Sequence, residues 1–289
     1  MVYHVLFNPF AGNGRGEQEA RKLNVIMPEA SLRYYDMTKI GAYADFFAAI
    51  SKNDAVILAG GDGTINRFLN DTAGLEIPND ILYFAVGSGN DFLHDLGKEK
   101  GEAPFSIKPY LQELPTVTVK GKTYRFLNGV GYGIDGYCCQ VGDELRASSD
   151  KPVNYTSIAI KGLLFHFKPA NATVIVDGKT HTFKKVWLAP TMHGRFYGGG
   201  MMIAPQQERN NADHTVSVSL LFGSGKLKTL IVFPSIFKGE HVRHTEMCQI
   251  LTGHEITVKF DRPTALQIDG ETILDVTEYS VSAKVPAKV

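Results

Sequence analysis

Along the first part of the chain, apolar runs and amphipathic stretches take turns. Residues 3–7 form an apolar run that stops at Asn8-Pro9 and predicts a strand. A glycine-rich stretch, Ala11-Gly12-Asn13-Gly14-Arg15-Gly16, leads into a helical segment expected to reach about Met27. Residues 31–35 predict a second strand, and residues 42–50 a helix whose apolar face is Phe46, Phe47 and Ile50. After its first position the stretch Asp54-Ala55-Val56-Ile57-Leu58-Ala59 is apolar throughout, as expected of a parallel strand covered on both faces. Glycines stop it and residues 64–70 continue as a helix. Residues 81–86 repeat the arrangement and end in Gly87-Ser88-Gly89. This β-loop-α rhythm predicts a doubly wound parallel α/β domain.

Beyond about residue 114 the texture changes. Residues 115–119 and 123–127 flank Lys120-Gly121-Lys122, and residues 173–176 and 180–183 flank Asp177-Gly178, two hairpin signals. Val216, Val218 and Leu220 alternate with serines, and short strands are expected at 256–258, 266–268 and 273–274. Such spacing predicts an antiparallel β-sandwich or barrel, interrupted by helices over 153–167 and 226–237. The expected division is residues 1–124 and 125–289, with about 280–289 able to return to the first domain. No internal repeat is visible.

Composition changes this picture little. With 289 residues, 44% hydrophobic and 21% charged, the chain is an ordinary globular protein with room for two domains. A formal net charge of zero argues against a broad nucleic-acid footprint. Three cysteines, two of them adjacent at Cys138 and Cys139, support neither a disulfide framework nor a CxxC zinc site, and point to a reducing compartment. No apolar run is long enough to span a bilayer, and the N-terminus has no signal-peptide character.

Candidate chemistry concentrates where the predicted parallel strands end, the place where open α/β sheets bind ligands. Gly60-Gly61-Asp62-Gly63-Thr64 occupies one such exit. Glycines let the backbone approach a bulky anion, and the following helix adds its positive end. Thr64 can cap that helix or donate to a phosphate oxygen. Asp62 repels phosphate unless a cation or a transferable proton mediates. The turn therefore reads as a phosphate site with Mg2+ or a general base, or else as a tight turn in which Asp62 caps the helix. Gly87-Ser88-Gly89-Asn90-Asp91 and residues 8–16 are placed alike, and three polar exits on one sheet edge favour a site over isolated turns. Two further patterns are expected to be turns. Gly223-Ser224-Gly225-Lys226 lacks P-loop spacing, and Gly131, Gly133 and Gly136 lack a βαβ setting. No HExxH occurs, and His241 and His244 are expected at the surface.

Taken in order, these motifs resemble the diacylglycerol kinase catalytic-domain family of bacterial lipid kinases, relatives of sphingosine and ceramide kinases and, more distantly, NAD kinases. Asn8-Pro9-Phe10-Ala11-Gly12-Asn13-Gly14 is similar to the family's opening nucleotide loop, and Thr38 stands near its threonine before the second helix. Gly60 to Asn66 is similar to the signature turn, and Gly87 to Phe92 resembles Gly-Thr-Gly-Asn-Asp-Phe with Ser88 in the threonine place. Asn128 to Asp135, Gly198 to Pro205 and Gln267-Ile268-Asp269-Gly270-Glu271 are also family-like.

The resemblance implies an NAD kinase/diacylglycerol kinase-like nucleotide domain followed by a β-rich acceptor domain, with the acceptor entering between them. It implies ATP and Mg2+ as cofactors and transfer of the γ-phosphoryl group to a lipid hydroxyl. Glu271 falls where the family carries a proposed catalytic base, and Asp62 would organise Mg2+ or share the base role. Asn8, Gly12, Thr38, Gly60, Gly61, Gly63, Thr64, Ser88, Gly89, Asn90 and Asp91 fall where the family binds nucleotide. Asp213 falls in its structural-metal segment, here Asn210-Asn211-Ala212-Asp213-His214-Thr215 in place of Asp-Asp-Gly-x-x-Asp. Arg67 follows Asn66 where the family has Glu. The implied setting is cytoplasmic with transient peripheral association at a membrane, and a homodimer stays open. Two other readings stay open: an NAD-kinase-like phosphotransferase, and a nucleotide-binding regulator without turnover.

Overall fold

The structure is a computed structural model describing residues 1–86, 90–148 and 153–283, apart from the side chains of Asn13 and Thr156. The chain divides into two compact units, Met1–Glu113 and Leu114–Val289.

In the first unit, β1 (Val2–Phe7), β2 (Ser31–Asp36), β3 (Ala55–Gly60) and β4 (Asp80–Ala85) run parallel in the order β2-β1-β3-β4. A two-residue strand, β5 (Phe105–Ser106), closes the β4 edge in the antiparallel sense. Every residue of β3 is buried, the outcome its unbroken apolar run predicts. Val5, Phe7, Ile57, Ala59, Phe84 and Val86 build one core with Ala20 and Leu23. Helices α1 (Tyr43–Ala49), α2 (Asp62–Asp71) and α3 (Asp91–Asp95) follow strands β2, β3 and β4.

The single helix expected up to Met27 is instead three short turns, Ala11–Gly14, Gly16–Ala20 and Leu23–Ile26. Gly14 at φ +80° breaks the first, and i→i+3 bonds from Lys22 to Glu19 and Val25 to Lys22 tighten the chain at the second break.

In the second unit the strands are β6 (Thr116–Val119), β7 (Lys122–Arg125), β8 (Gly129–Tyr132), β9 (Ala170–Val176), β10 (Lys179–Val186), β11 (Thr191–Met192), β12 (Phe196–Tyr197), β13 (Met201–Met202), β14 (Val216–Leu221), β15 (Cys248–Gly253), β16 (Glu255–Ile268) and β17 (Glu271–Ser282). Ten of them form one antiparallel sheet along β15-β14-β11-β8-β16-β17-β6-β7, with β9 and β10 branching from β16. The first hairpin, β6–β7, joins this sheet because Thr116–Val117–Thr118 pair with Ser282–Val281–Ser280 of β17. Residues 280–282 thus belong to the second unit, and residues beyond 283 lie outside those described.

Strand β16 corrects an expectation. The segments 256–258 and 266–268 are two ends of one fourteen-residue strand. One end pairs with β9 and the other with β8, while β17 runs along both, with register irregularities between Lys259 and Leu266.

The glycines at 131, 133 and 136 are also not a set of turns. Gly131 lies in β8, Gly133 (φ +108°) turns the chain, and Gly136 sits in the first turn of α4 (Ile134–Ser148), a fifteen-residue helix the sequence did not announce. A Cβ at Gly136 would stand 1.9 Å from the Ala265 carbonyl oxygen, so glycine is what lets α4 lie on β16. The two helices expected later are shorter: α5 (Tyr155–Lys161) passes into a π-helical turn, Gly162–His166, and α6 (Lys226–Val232) into a 3-10 segment, Phe233–Lys238. Gly223 to Lys226 forms the turn that starts α6, as expected.

Candidate active site

The order β2-β1-β3-β4 reverses direction at β1, so the carboxyl ends of β1 and β3 form a topological switch point. Asn8 leaves β1 there and Gly60-Gly61 leave β3. The Asn8 backbone N–H donates to Ala59 O at 3.3 Å, and its side-chain amide donates to Thr64 Oγ1 at 3.4 Å. Asn8 Oδ1 accepts the N–H of Phe10 at 3.0 Å and so turns the glycine-rich loop. Gly60 is required by packing: a Cβ there would stand 2.1 Å from Thr64 Oγ1. Gly61 precedes α2 in extended conformation, and Gly63 and buried Thr64 lie in its first turn. Gly12, at φ +60°, bends the loop above.

Asp62 is the first residue of α2, yet its carboxylate caps a different helix. Oδ2 accepts the N–H of Asp91 at 2.7 Å and Oδ1 that of Phe92 at 3.3 Å. These are the first N–H groups of α3, and a carboxylate at a helix N-terminus meets both the unpaired donors and the dipole. Asn90 is tied in as well, because Tyr83 Oη lies 3.0 Å from Asn90 Oδ1 and 3.1 Å from Gly60 O. Burial, with the Asp62 charge beside it, holds the Tyr83 phenol well above its usual pKa, so it stays protonated. The structure thus brings Asn8, Gly60, Gly61, Asp62, Gly63, Thr64, Asn90 and Asp91 together, and directs the positive end of the α2 dipole at this edge of the sheet. Ser88 and Gly89 lie outside the described residues.

Thr38 follows β2, whose last residue, Asp36, pairs with Phe7 at the same carboxyl edge of the sheet. Its N–H and hydroxyl both donate to Asp36 Oδ1, at 2.9 and 2.6 Å, and the Thr38 hydroxyl is the largest cause of the lowered Asp36 pKa. Arg67 is exposed on α2 and pairs with Asp71 at 3.4 Å.

In the second unit, Asp269 and Gly270 form the turn between β16 and β17, at φ +45° and +98°. The Asp269 carboxylate accepts three consecutive backbone N–H groups, Leu127 at 2.5 Å, Asn128 at 2.8 Å and Gly129 at 3.0 Å. Gln267 Oε1 accepts the Gly270 N–H at 2.7 Å. This clasp presents Glu271, exposed, as the first residue of β17. Behind it lies a buried network the sequence did not reveal. Arg209 donates to Leu127 O and, at 2.8 Å, to Asn128 Oδ1, and His193 Nδ1 stands 3.0 Å from Leu127 O.

Asp135, on the first turn of α4, is the other residue missed. It is buried, and among the described residues neither carboxylate oxygen has a partner that meets hydrogen-bond geometry. Burial pushes its pKa up to about 7, against the weaker opposing pull of nearby N–H groups and the Gln267 amide. Gly131 makes the room: a Cβ there would stand 1.7 Å from Asp135 Oδ2 and 2.4 Å from Gln267 Nε2. An acid one turn past a glycine-lined strand was the available signal. Burial raises the Cys138 thiol far above its usual pKa and Cys139 to about 12, which keeps both in the thiol form at neutral pH.

Asp213 is exposed, and its loop is closed by amides. Asn211 Oδ1 accepts the Thr215 N–H at 2.8 Å while its Nδ2 donates to Glu208 O and Thr215 O. Among the described residues no cluster of three or more His, Cys, Asp or Glu could hold a metal ion. His241, expected at the surface, is buried with Nε2 3.2 Å from Ile203 O; His244 is exposed at the side chain. No helix among the described residues is long and apolar enough to cross a membrane.

Residues 2–118 match the diacylglycerol kinase catalytic domain, and residues 128–286 match the YegS C-terminal NAD kinase beta sandwich-like domain. The chain belongs to this diacylglycerol kinase family. It is 28% identical over 227 residues to a diacylglycerol kinase of Mycobacterium tuberculosis, covering 75% of this chain and 70% of the relative. A diacylglycerol kinase of Bacillus subtilis is 25% identical over 231 residues, covering 78% of this chain and 73% of that one. The crystal structure of a diacylglycerol kinase from Bacillus anthracis superposes over 100% of this chain and 98% of its own, with a TM-score of 0.59 at 18% identity, a likeness of fold. Membership in this family supports lipid kinase activity in general, and with it phosphotransferase chemistry. The α/β sheet followed by the antiparallel β-rich unit is the expected fold class.

Proposed function

We propose that this chain transfers the γ-phosphoryl group of ATP to a hydroxyl of diacylglycerol or a related lipid. The observation that carries the reading is the switch-point constellation, in which Asn8, Thr64 and the N-terminus of α2 meet beside Asp62.

The residues fit a nucleotide's phosphates. Gly60, Gly61 and Gly63 keep side chains away from the start of α2, and the α2 N–H groups favour an anion. For Mg2+ the fit is partial, since Asp62 spends one lone pair of each oxygen on α3 and, among the described residues, no cluster of three or more His, Cys, Asp or Glu includes it. A cation would be held by Asp62 together with phosphate oxygens, the usual manner for Mg2+. When bound, MgATP supplies the phosphoryl group and offsets its charge.

The protein's own part is positional. Asp62 orders α3 and carries negative charge to the nucleotide. Glu271, on the clasped turn, accepts the proton of the acceptor hydroxyl as that oxygen attacks in line. Asp269 and Gln267 fix the backbone from which Glu271 projects.

The test is transfer of labelled phosphate from ATP and Mg2+ to diacylglycerol, monoacylglycerol, phosphatidylglycerol, sphingosine and NAD, with Asp62→Asn and Glu271→Gln alongside. Label in a lipid that vanishes in both variants is expected. Label in NAD alone would sink the proposal, and nucleotide binding without transfer would make the chain a regulator.

A further inference from the structure

On the second unit, three large apolar side chains stand in solvent: Phe165 at 72% exposure, Leu227 at 71% and Ile231 at 70%. Leu227 and Ile231 are one turn apart and share a face of α6, while Thr229 and Val232 bury the opposite face. Phe165 lies on the π-helical turn, which packs on α6 and is tied to it by Lys226 Nζ donating to Leu164 O at 2.8 Å. The neighbouring apolar positions Ile158, Leu163 and Phe167 are buried, whereas Phe165 and, less fully, Ile160 face outward.

The surroundings are basic. Residues 153–169 and 223–239 contain no Asp or Glu, but carry Lys161, His166, Lys168, Lys226, Lys228 and Lys238 in a chain whose net charge is zero. Lys228 is paired with Glu246 at 2.7 Å; the other lysines are exposed. Immediately after Phe165 the surface opens into a cleft of about 400 Å³, lined among others by Tyr137, Gln140, His166, Lys168, Arg262 and one carboxylate, Asp275. It sits where the β16–β17 register is irregular, and Asp275 holds φ +54°. Bulges of this kind re-aim side chains beside sites.

We propose that this face docks on an anionic phospholipid bilayer, with Phe165, Leu227 and Ile231 entering the interface and Lys168 and Arg262 receiving a lipid phosphate in the cleft. Exposed apolar side chains ringed by cations are the composition of an interfacial surface. A second copy of this chain is disfavoured on this face, because a two-fold contact would set the same lysines against each other. The proposal rests on the lipid-kinase reading only for its purpose; docking is measurable without turnover.

The experiment is co-sedimentation of the full chain with vesicles of phosphatidylcholine alone or with a quarter phosphatidylglycerol. Wild type is compared with the triple variant Phe165→Ser, Leu227→Ser, Ile231→Ser and with the double variant Lys168→Gln, Arg262→Gln, melting temperatures confirming that each is folded. Wild type is expected to prefer the anionic vesicles by about tenfold or more, and less so at high salt. The triple variant should lose binding to both vesicles, and the double variant only the anionic preference. The triple variant should still phosphorylate short-chain diacylglycerol in detergent. Vesicle binding by the triple variant equal to wild type, no binding by wild type, or a change only in oligomeric state would each overturn the docking face. Docking without any turnover would instead sink the kinase assignment and leave the face standing.

Discussion

Asp62 accepts the backbone N–H of Asp91 at 2.7 Å, so one carboxylate joins the start of α2 to the start of α3. A residue proposed to serve a phosphate site is thereby also a structural cap, and the two roles separate in mutants. Asp62→Ala should cost about 2 kcal/mol of stability by stranding charged hydrogen bonds, measured by denaturant titration. Asp62→Asn keeps an acceptor and should cost less. Both should lower phosphate transfer by about a hundredfold or more.

Gly60 faces Thr64 closely enough that no Cβ fits without moving the threonine. Gly60→Ala is expected to destabilise by about 1–3 kcal/mol. By pushing Thr64 off Asn8 it should also weaken binding of a non-hydrolysable ATP analogue. Calorimetric titration that finds unchanged affinity would remove Thr64 from the nucleotide site.

The Asp269 clasp and Glu271 are adjacent but should behave oppositely. Glu271 is exposed, so Glu271→Gln should leave the melting curve within about 0.5 kcal/mol of wild type and cut transfer by roughly a hundredfold or more. Asp269→Ala leaves three backbone N–H groups without their carboxylate and should cost about 3 kcal/mol or more. Equal thermal losses in the two variants would contradict the division of labour.

Asp135 makes stability depend on pH. Burial raises its pKa from the usual carboxylate range to about 7, so the folded chain holds a proton there that the unfolded chain releases. The contribution is fully present below about pH 4 and is lost as pH rises toward and through 7. Asp135→Asn should remove this dependence and raise stability at pH 8 by a few kcal/mol relative to wild type. Denaturant titrations at pH 5 and 8 read the difference. An unchanged slope in the variant would place a partner on the carboxylate.

What the sequence disclosed followed from how local each signal was. The runs at 3–7, 54–59 and 81–86 are continuous because parallel strands are covered on both faces, and each appears as a strand within one residue or so at either end. The motifs at their ends could be placed for the same reason. Helix α4 was hidden because Gly131 and Gly136 make room against Gln267 and Ala265 of β16, a relation between segments about 130 residues apart, while Gly133 fits against Trp187 and Leu188. Asp62 read as a cap of its own helix or a metal partner, whereas the N–H groups it accepts lie 29 and 30 residues on. The Arg209, His193 and Asn128 network spans separations of up to 82 residues with no motif to mark it.

The clasp at Asp269 carries a consequence for how the protein comes into being. It closes on Leu127 across 142 residues, and β17 then returns to β6 at the start of the same unit. Contacts that distant in sequence form late, because a long loop must be ordered before any of them stabilises it. A chain emerging from the ribosome can complete its first parallel sheet while most of the second unit is still unmade. Glu271 can take its position only after β6, β8 and β16 have all been made, so a chain stopped before them would lack the residue proposed as its base.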